Sequence, residues 1–122
     1  MPSKKLLFVY GTLKRGCANH QFLTGQKFLG EARTVPGFRL YNLGGYPGLV
    51  ALADDHDGVT GEVWSVDAPA LVRLDALEGL GEGHYRRESI PLLAPFAEQG
   101  IEGYIYNLSI KGRRVIGNTW RE

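Results

Sequence analysis

Two parts of this sequence have residue types and spacing suited to chemistry: the acid Glu78 and the loop Tyr10-Gly11-Thr12-Leu13. Glu78 follows the segment Ala68 to Leu77, which carries helix punctuation at both ends. Asp67 stands as N-cap, Pro69 lies in the first turn and Gly79 lies beyond the end. At about 100° per residue, Leu71, Leu74 and Leu77 share one arc, and Glu78 falls only about 20° from Leu71. A carboxylate on that arc is desolvated and meets the negative end of the helix dipole. Both effects raise its pKa toward the range of a general acid/base. A second reading is that the glycine-rich break after it lets Glu78 fray into solvent. The residues alone leave both open.

The loop is the other half of the chemistry. Leu6-Leu7-Phe8-Val9-Tyr10 is β-prone and apolar on both faces, so it reads as a buried strand, and Gly11 then permits backbone geometry closed to other residues. Strand exits of this kind commonly carry function, and backbone N–H groups bracketed by Gly11 and Gly16 suit an anion. A phosphate-binding P-loop is excluded, because Cys17 and Ala18 stand where lysine and serine or threonine are required.

Other chemistries find weaker support. Cys17 and His20 are three apart beside the loop, but spacing alone does not activate a thiol, so an ordinary thiol is expected. His20, His56 and His84 are scattered and lack zinc-site spacing, and no metal or other cofactor is expected. None of Ser3, Ser65, Ser89 and Ser109 sits in a nucleophile elbow. Tyr10, Tyr41, Tyr46, Tyr85, Tyr104 and Tyr106 are read mainly as packing, with Tyr10 and Tyr85 within reach of a ligand. Asp75, on the flank of the helical arc, is expected to meet solvent, Arg73 or Arg86, with a pairing to Glu78 as the alternative. Lys14, Arg15, Arg86, Arg87 and Lys111-Gly112-Arg113-Arg114 read as a solvated face, because no aromatic-basic RNA motif accompanies them.

The elements that must hold these groups belong to one domain spanning residues 1–122, with an ordinary 43% hydrophobic content. A net charge of +1 gives no global field for nucleic acid or an anionic membrane, so recognition must be local. One cysteine forbids an internal disulfide, and neither a leader nor a membrane-length apolar run is visible, so a cytoplasmic location is expected. Asn107-Leu108-Ser109 is discarded as a glycosylation acceptor for the same reason. Further strands are predicted at Phe28 to Ala32, Phe38 to Tyr41, Leu49 to Ala53, Val59 to Val66, Tyr85 to Leu93 and Gly103 to Leu108. Pro36-Gly37 reads as a turn, Leu43 to Gly48 as a loop and Asp57-Gly58 as a hairpin turn, with Val59 to Val66 half-buried. Val115 to Glu122 is left unassigned.

Taken in order, Val9-Tyr10-Gly11-Thr12-Leu13, Gly16, Asn19-His20, Phe28-Leu29-Gly30, Tyr46-Pro47, Gly61-Glu62-Val63-Trp64, Leu74-Asp75-Ala76-Leu77-Glu78-Gly79 and Tyr85-Arg86-Arg87 resemble the γ-glutamylcyclotransferase-like superfamily. The likeness runs over nearly the whole chain and is strongest to small bacterial members and to the γ-glutamylamine cyclotransferase branch. It implies an α+β fold with a compact, mixed, β-barrel-like core and few short helices, a cavity at the mouth and one catalytic glutamate. By motif position that residue is Glu78, which some small bacterial members lack.

The resemblance further implies that Tyr10, Gly11, Thr12 and Leu13, with Tyr85 nearby, bind a small γ-glutamyl substrate. The substrate's own α-amine would attack its γ-carbonyl and release 5-oxoproline with an amine or amino acid. Two other expectations stay open: a non-catalytic binder on the same fold, and processing of a γ-glutamyl group on a larger carrier.

Overall fold

Strand β1 (Lys4–Val9) organises the molecule, because its consecutive apolar side chains alternate between two cores. Leu7 and Val9 enter one cluster with Trp64, Ala70, Leu74, Tyr85 and Tyr104, whereas Phe8 enters the other with Leu40, Leu49, Val63, Ile105 and Trp120. The computed structural model describes residues 4–53, 56–97 and 99–122. Ser3, among the serines weighed above, lies outside them.

The remaining strands are β2 (Lys27–Arg33), β3 (Phe38–Asn42), β4 (Pro47–Ala51), β5 (Thr60–Asp67), β6 (Tyr85–Ser89), β7 (Glu102–Tyr106) and β8 (Arg114–Gly117). They form a five-stranded sheet in the order β2-β5-β1-β7-β6 and a three-stranded sheet in the order β4-β3-β8. The larger sheet is mixed: β1 runs antiparallel to β5 and parallel to β7. One α-helix, α1 (Ala68–Leu77), and a 3-10 turn at His20–Leu23 complete the α+β architecture among the described residues. The two sheets share the second core without joining into a closed barrel.

Helix α1 begins and ends where its sequence punctuation predicts. The Asp67 side chain accepts from the Ala70 N–H at 2.8 Å, and Gly79 takes φ +65° after the last turn. Its buried face is narrower than predicted, however. Ala70 and Leu74 are buried, Leu71 is half-buried and Leu77 is 38% exposed, so the inward line runs through Ala70, Leu74 and Glu78 at intervals of one turn.

Two local expectations are corrected, and one unassigned stretch gains a structure. Strand β5 is buried on both faces, since the helix covers Trp64 and Val66 and the second core takes Val63. Asp57-Gly58 does not turn a hairpin, because β4 and β5 lie in different sheets; Gly58 instead packs closely on the Thr34 carbonyl. The unassigned C-terminal stretch supplies β8, antiparallel to β3, while Trp120 closes the second core. Pro36-Gly37 does bend the chain, with Gly37 at φ +110°, but it carries the chain between sheets.

Candidate active site

The loop leaving β1 is tied down on all sides. The Tyr10 hydroxyl donates to the Tyr104 carbonyl at 2.7 Å and accepts from the Leu49 N–H at 3.2 Å, which fastens β1, β7 and β4 together. Its phenol is buried, and burial pushes its pKa well above the ordinary tyrosine value. The Tyr10 hydroxyl is therefore committed to holding these strands together, while lying close enough to Tyr85 and Glu78 to feel their charge.

Gly11 is needed for space. Its φ is not positive, and a Cβ there would stand 2.6 Å from the Pro47 ring, so the sequence-based reading of Gly11 as a conformational exception is replaced by one of close approach. The loop's carbonyls are used internally. Lys14 N–H donates to Gly11 at 3.1 Å, Asn19 N–H donates to Thr12 at 2.8 Å, and Leu13 O lies 3.0 Å from His20 Nδ1. Asn19 Nδ2 also donates to Thr12 Oγ1 at 3.0 Å. Among the described residues, no protein group accepts from the N–H of Gly11, Thr12 or Leu13.

Glu62 anchors the far end of the loop. It accepts from Arg15 N–H and Arg15 Nε, each at 3.1 Å, and from Trp64 Nε1 at 3.1 Å, while the Arg15 guanidinium lies 3.8 Å over the Phe28 ring. Sequence reasoning gave Glu62 no role beyond its place in a motif. The available signal was that it is the lone acid inside an apolar run from Val59 to Val66.

Glu78 caps the C-terminus of α1, donating its own N–H to Leu74 at 3.0 Å. The turn that carries it is pinned to the sheet by Asp75. The Arg87 guanidinium reaches Asp75 at 2.9 and 3.1 Å and also pairs with Glu102, while Tyr104 OH donates to Asp75 at 2.7 Å. Asp75 thus pairs with Arg87, not with Arg73, Arg86 or Glu78. Gly79 is required here on two counts, its left-handed φ and the closeness of His84, whose Nδ1 would stand 2.5 Å from a Cβ.

With its neighbours' charges spoken for, the Glu78 carboxyl makes no hydrogen bond or ion pair among the described residues. It keeps partial contact with solvent, but the protein packed around it desolvates the carboxyl and raises its pKa to about 7. Burial is the cause. Of the two readings of this residue, the inward one holds.

Glu78 and the loop line a common cavity. A narrow inner chamber is walled by Tyr10 to Leu13, Pro47, Glu78, Tyr85 and Tyr104, and an outer cleft of about 500 Å³ continues from it toward His84, Tyr106, Leu108 and Arg113. Thr12, Tyr46, Glu78 and Tyr85 belong to both and mark the junction. The Tyr85 hydroxyl donates to the Pro47 carbonyl at 2.9 Å, and its ring meets Tyr106 edge-on at 5.4 Å. Tyr85's pKa is raised by burial first and by Glu78 second.

The structure thus brings all six sequence-predicted site residues, Glu78, Tyr10, Gly11, Thr12, Leu13 and Tyr85, to one cavity. Cys17 is elsewhere. It packs beside the second core, where burial and the Glu122 carboxylate push its thiol upward, the opposite of an activated thiolate. No cluster of three or more metal-ligating side chains occurs among the described residues, and none of their helices is long and apolar enough to cross a membrane.

Comparison with known proteins supplies the family. A Vibrio cholerae protein provisionally named a gamma-glutamylcyclotransferase is 46% identical over 101 residues, 83% of this chain and 81% of its own. A gamma-glutamylcyclotransferase family protein of Escherichia coli K12 is 34% identical over 110 residues, 90% of this chain and 89% of its own. The crystal structure of an AIG2-like protein from Mus musculus superposes with a TM-score of 0.70 at 32% identity, covering 87% of this chain and 78% of that one. Residues 7–122 match the family described as gamma-glutamyl cyclotransferase, AIG2-like, and the chain belongs to that family.

Proposed function

We propose that this protein is a cyclotransferase that converts a small γ-glutamyl compound into 5-oxoproline and a free amine or amino acid, with Glu78 as the general acid/base. The observation that carries this reading is a carboxyl with no hydrogen-bond or ion-pair partner among the described residues, its pKa raised to about 7, facing a chamber lined by Gly11, Thr12 and Leu13. A γ-glutamyl compound carries its own nucleophile. The tethered α-amine needs only to be held against the γ-carbonyl and deprotonated, so no protein nucleophile is called for.

In the proposed sequence, Glu78 as carboxylate takes a proton from the α-ammonium group, and the amine nitrogen then bonds to the γ-carbonyl carbon. The N–H groups of the Tyr10 to Leu13 loop hold the α-carboxylate and stabilise the tetrahedral oxyanion. Glu78, now protonated, gives its proton to the leaving nitrogen as the carbon–nitrogen bond breaks. The carboxylate so regenerated takes the second proton of the ring nitrogen, leaving a neutral lactam N–H, and passes it to the freed amine, which departs as an ammonium ion. The direct test is mass spectrometry of a panel of γ-glutamyl amino acids and γ-glutamylamines after incubation. Release of 5-oxoproline is expected; tight binding with no product would support a non-catalytic binder instead.

A pH profile gives a second test. Because the carboxylate form starts the reaction, kcat/KM is expected to rise with pH along a limb whose midpoint lies near 7, the value to which burial brings Glu78. A rate flat from about pH 5 to about 8, with chemistry limiting, would contradict the assignment. Chelators and Cys17→Ser are each expected to leave most activity, since neither touches the proposed reacting groups. Loss of activity with either would point to a metal or thiol mechanism.

A further inference from the structure

We infer that the outer cleft is a leaving-group subsite built for an apolar α-amino acid with a free carboxylate, and that Arg113 is the residue that selects it. The inference rests on the cyclotransferase reading, which puts the scissile bond at the junction formed by Thr12, Tyr46, Glu78 and Tyr85. Whatever departs from the γ-carbonyl then extends into the outer cleft.

The cleft walls state what would fit. Tyr46, Leu77 and Leu108 are 46%, 38% and 51% exposed, so three of the seven exposed large apolar side chains among the described residues gather here. They give a cleft of otherwise mixed polarity apolar side chains that an apolar leaving group would cover. Among the described residues that line the cleft, Arg113 is the one that carries a permanent charge. Its Nη1 donates to the Leu43 carbonyl at 3.1 Å, which holds the guanidinium at the wall, and no carboxylate pairs with it among the described residues. A guanidinium anchored by one N–H keeps further donors for a planar acceptor such as a carboxylate. The same charge repels an ammonium group, so polyamine-like leaving groups are disfavoured.

The test compares γ-glutamyl-leucine, γ-glutamyl-leucinamide and γ-glutamylputrescine with the parent protein, Arg113→Ala and Arg113→Lys. Release of 5-oxoproline gives kcat and KM. Calorimetric titration of Glu78→Gln, with and without the Arg113 changes, gives affinity without turnover. We expect the parent to prefer the free carboxylate over the amide by about tenfold, seen in KM and in Kd, with the putrescine compound poorest. Arg113→Ala should bring the carboxylate-to-amide ratio close to one, and Arg113→Lys should keep part of it. Equal use of carboxylate and amide by the parent, or an unchanged ratio in Arg113→Ala, overturns the subsite. If no compound yields 5-oxoproline, the cyclotransferase reading falls, and the calorimetric ratio still decides the role of Arg113. Failure of all three to bind overturns both.

Discussion

Glu78→Gln is expected to lower turnover by about 100-fold or more while the protein stays folded. Glutamine keeps the size and polarity of the side chain but can neither accept the α-ammonium proton nor return one to the leaving nitrogen. Folding should survive because the Glu78 carboxyl has no hydrogen bond or ion pair to lose among the described residues, and the turn that carries it is held by Asp75, Arg87 and Tyr104. The measurement is single-turnover 5-oxoproline formation alongside circular dichroism of the variant. Near-parental turnover would remove Glu78 from the chemistry, however well the cavity binds.

The second large effect comes from the substrate. Acetylating the α-amine of a γ-glutamyl compound is expected to abolish turnover, because the acetylated nitrogen is no longer nucleophilic and cannot close the five-membered ring. Tethered attack has a large effective-concentration advantage over capture of water when the γ-glutamyl group is held folded. Reaction in ¹⁸O-labelled water should accordingly yield 5-oxoproline free of enzymatically introduced label. Labelled glutamate as the first product would establish hydrolysis, and Glu78 would then be read as the activator of a water molecule.

The parts of this fold that are local in sequence were the legible ones. Strand β1 could be read because its core residues are apolar on both faces, and α1 because Asp67 and Gly79 mark its ends. Helical angle pointed Glu78 toward the core but left fraying into solvent open beside it, and the buried face turned out to run through Ala70 rather than Leu77. Features that depend on which strands pair were not legible. Strand β8 is four residues long and gains its identity from β3, about 70 residues earlier in the chain.

The partner of Asp75 shows the same limit. Arg86 and Arg87 differ by one residue and so point to opposite faces, and only the register with Tyr104 puts Arg87 under the helix. Arg86 turns outward to Glu88. Glu62 and Pro47 went unassigned because their importance lies in what the fold brings against them, the Arg15 end of the loop and Gly11.

The desolvation of Glu78 also has a thermodynamic cost. In the unfolded chain this carboxyl ionises near its ordinary value of 4.5, whereas in the folded protein it holds its proton until about pH 7. Between those values the native state binds more protons than the unfolded one, so linkage makes folding stability fall as pH rises through that window. Below it the penalty is absent, and above it the loss is complete, up to about 3 kcal/mol before residual solvent contact at the chamber reduces it. The rest of the fold must hold that deficit in reserve at neutral pH, a substantial share of the margin by which a domain of this size stays folded. Urea unfolding at about pH 5 and about pH 8, with Glu78→Gln as reference, reads the deficit directly: the variant should be the more stable protein at the higher pH and lose that advantage at the lower.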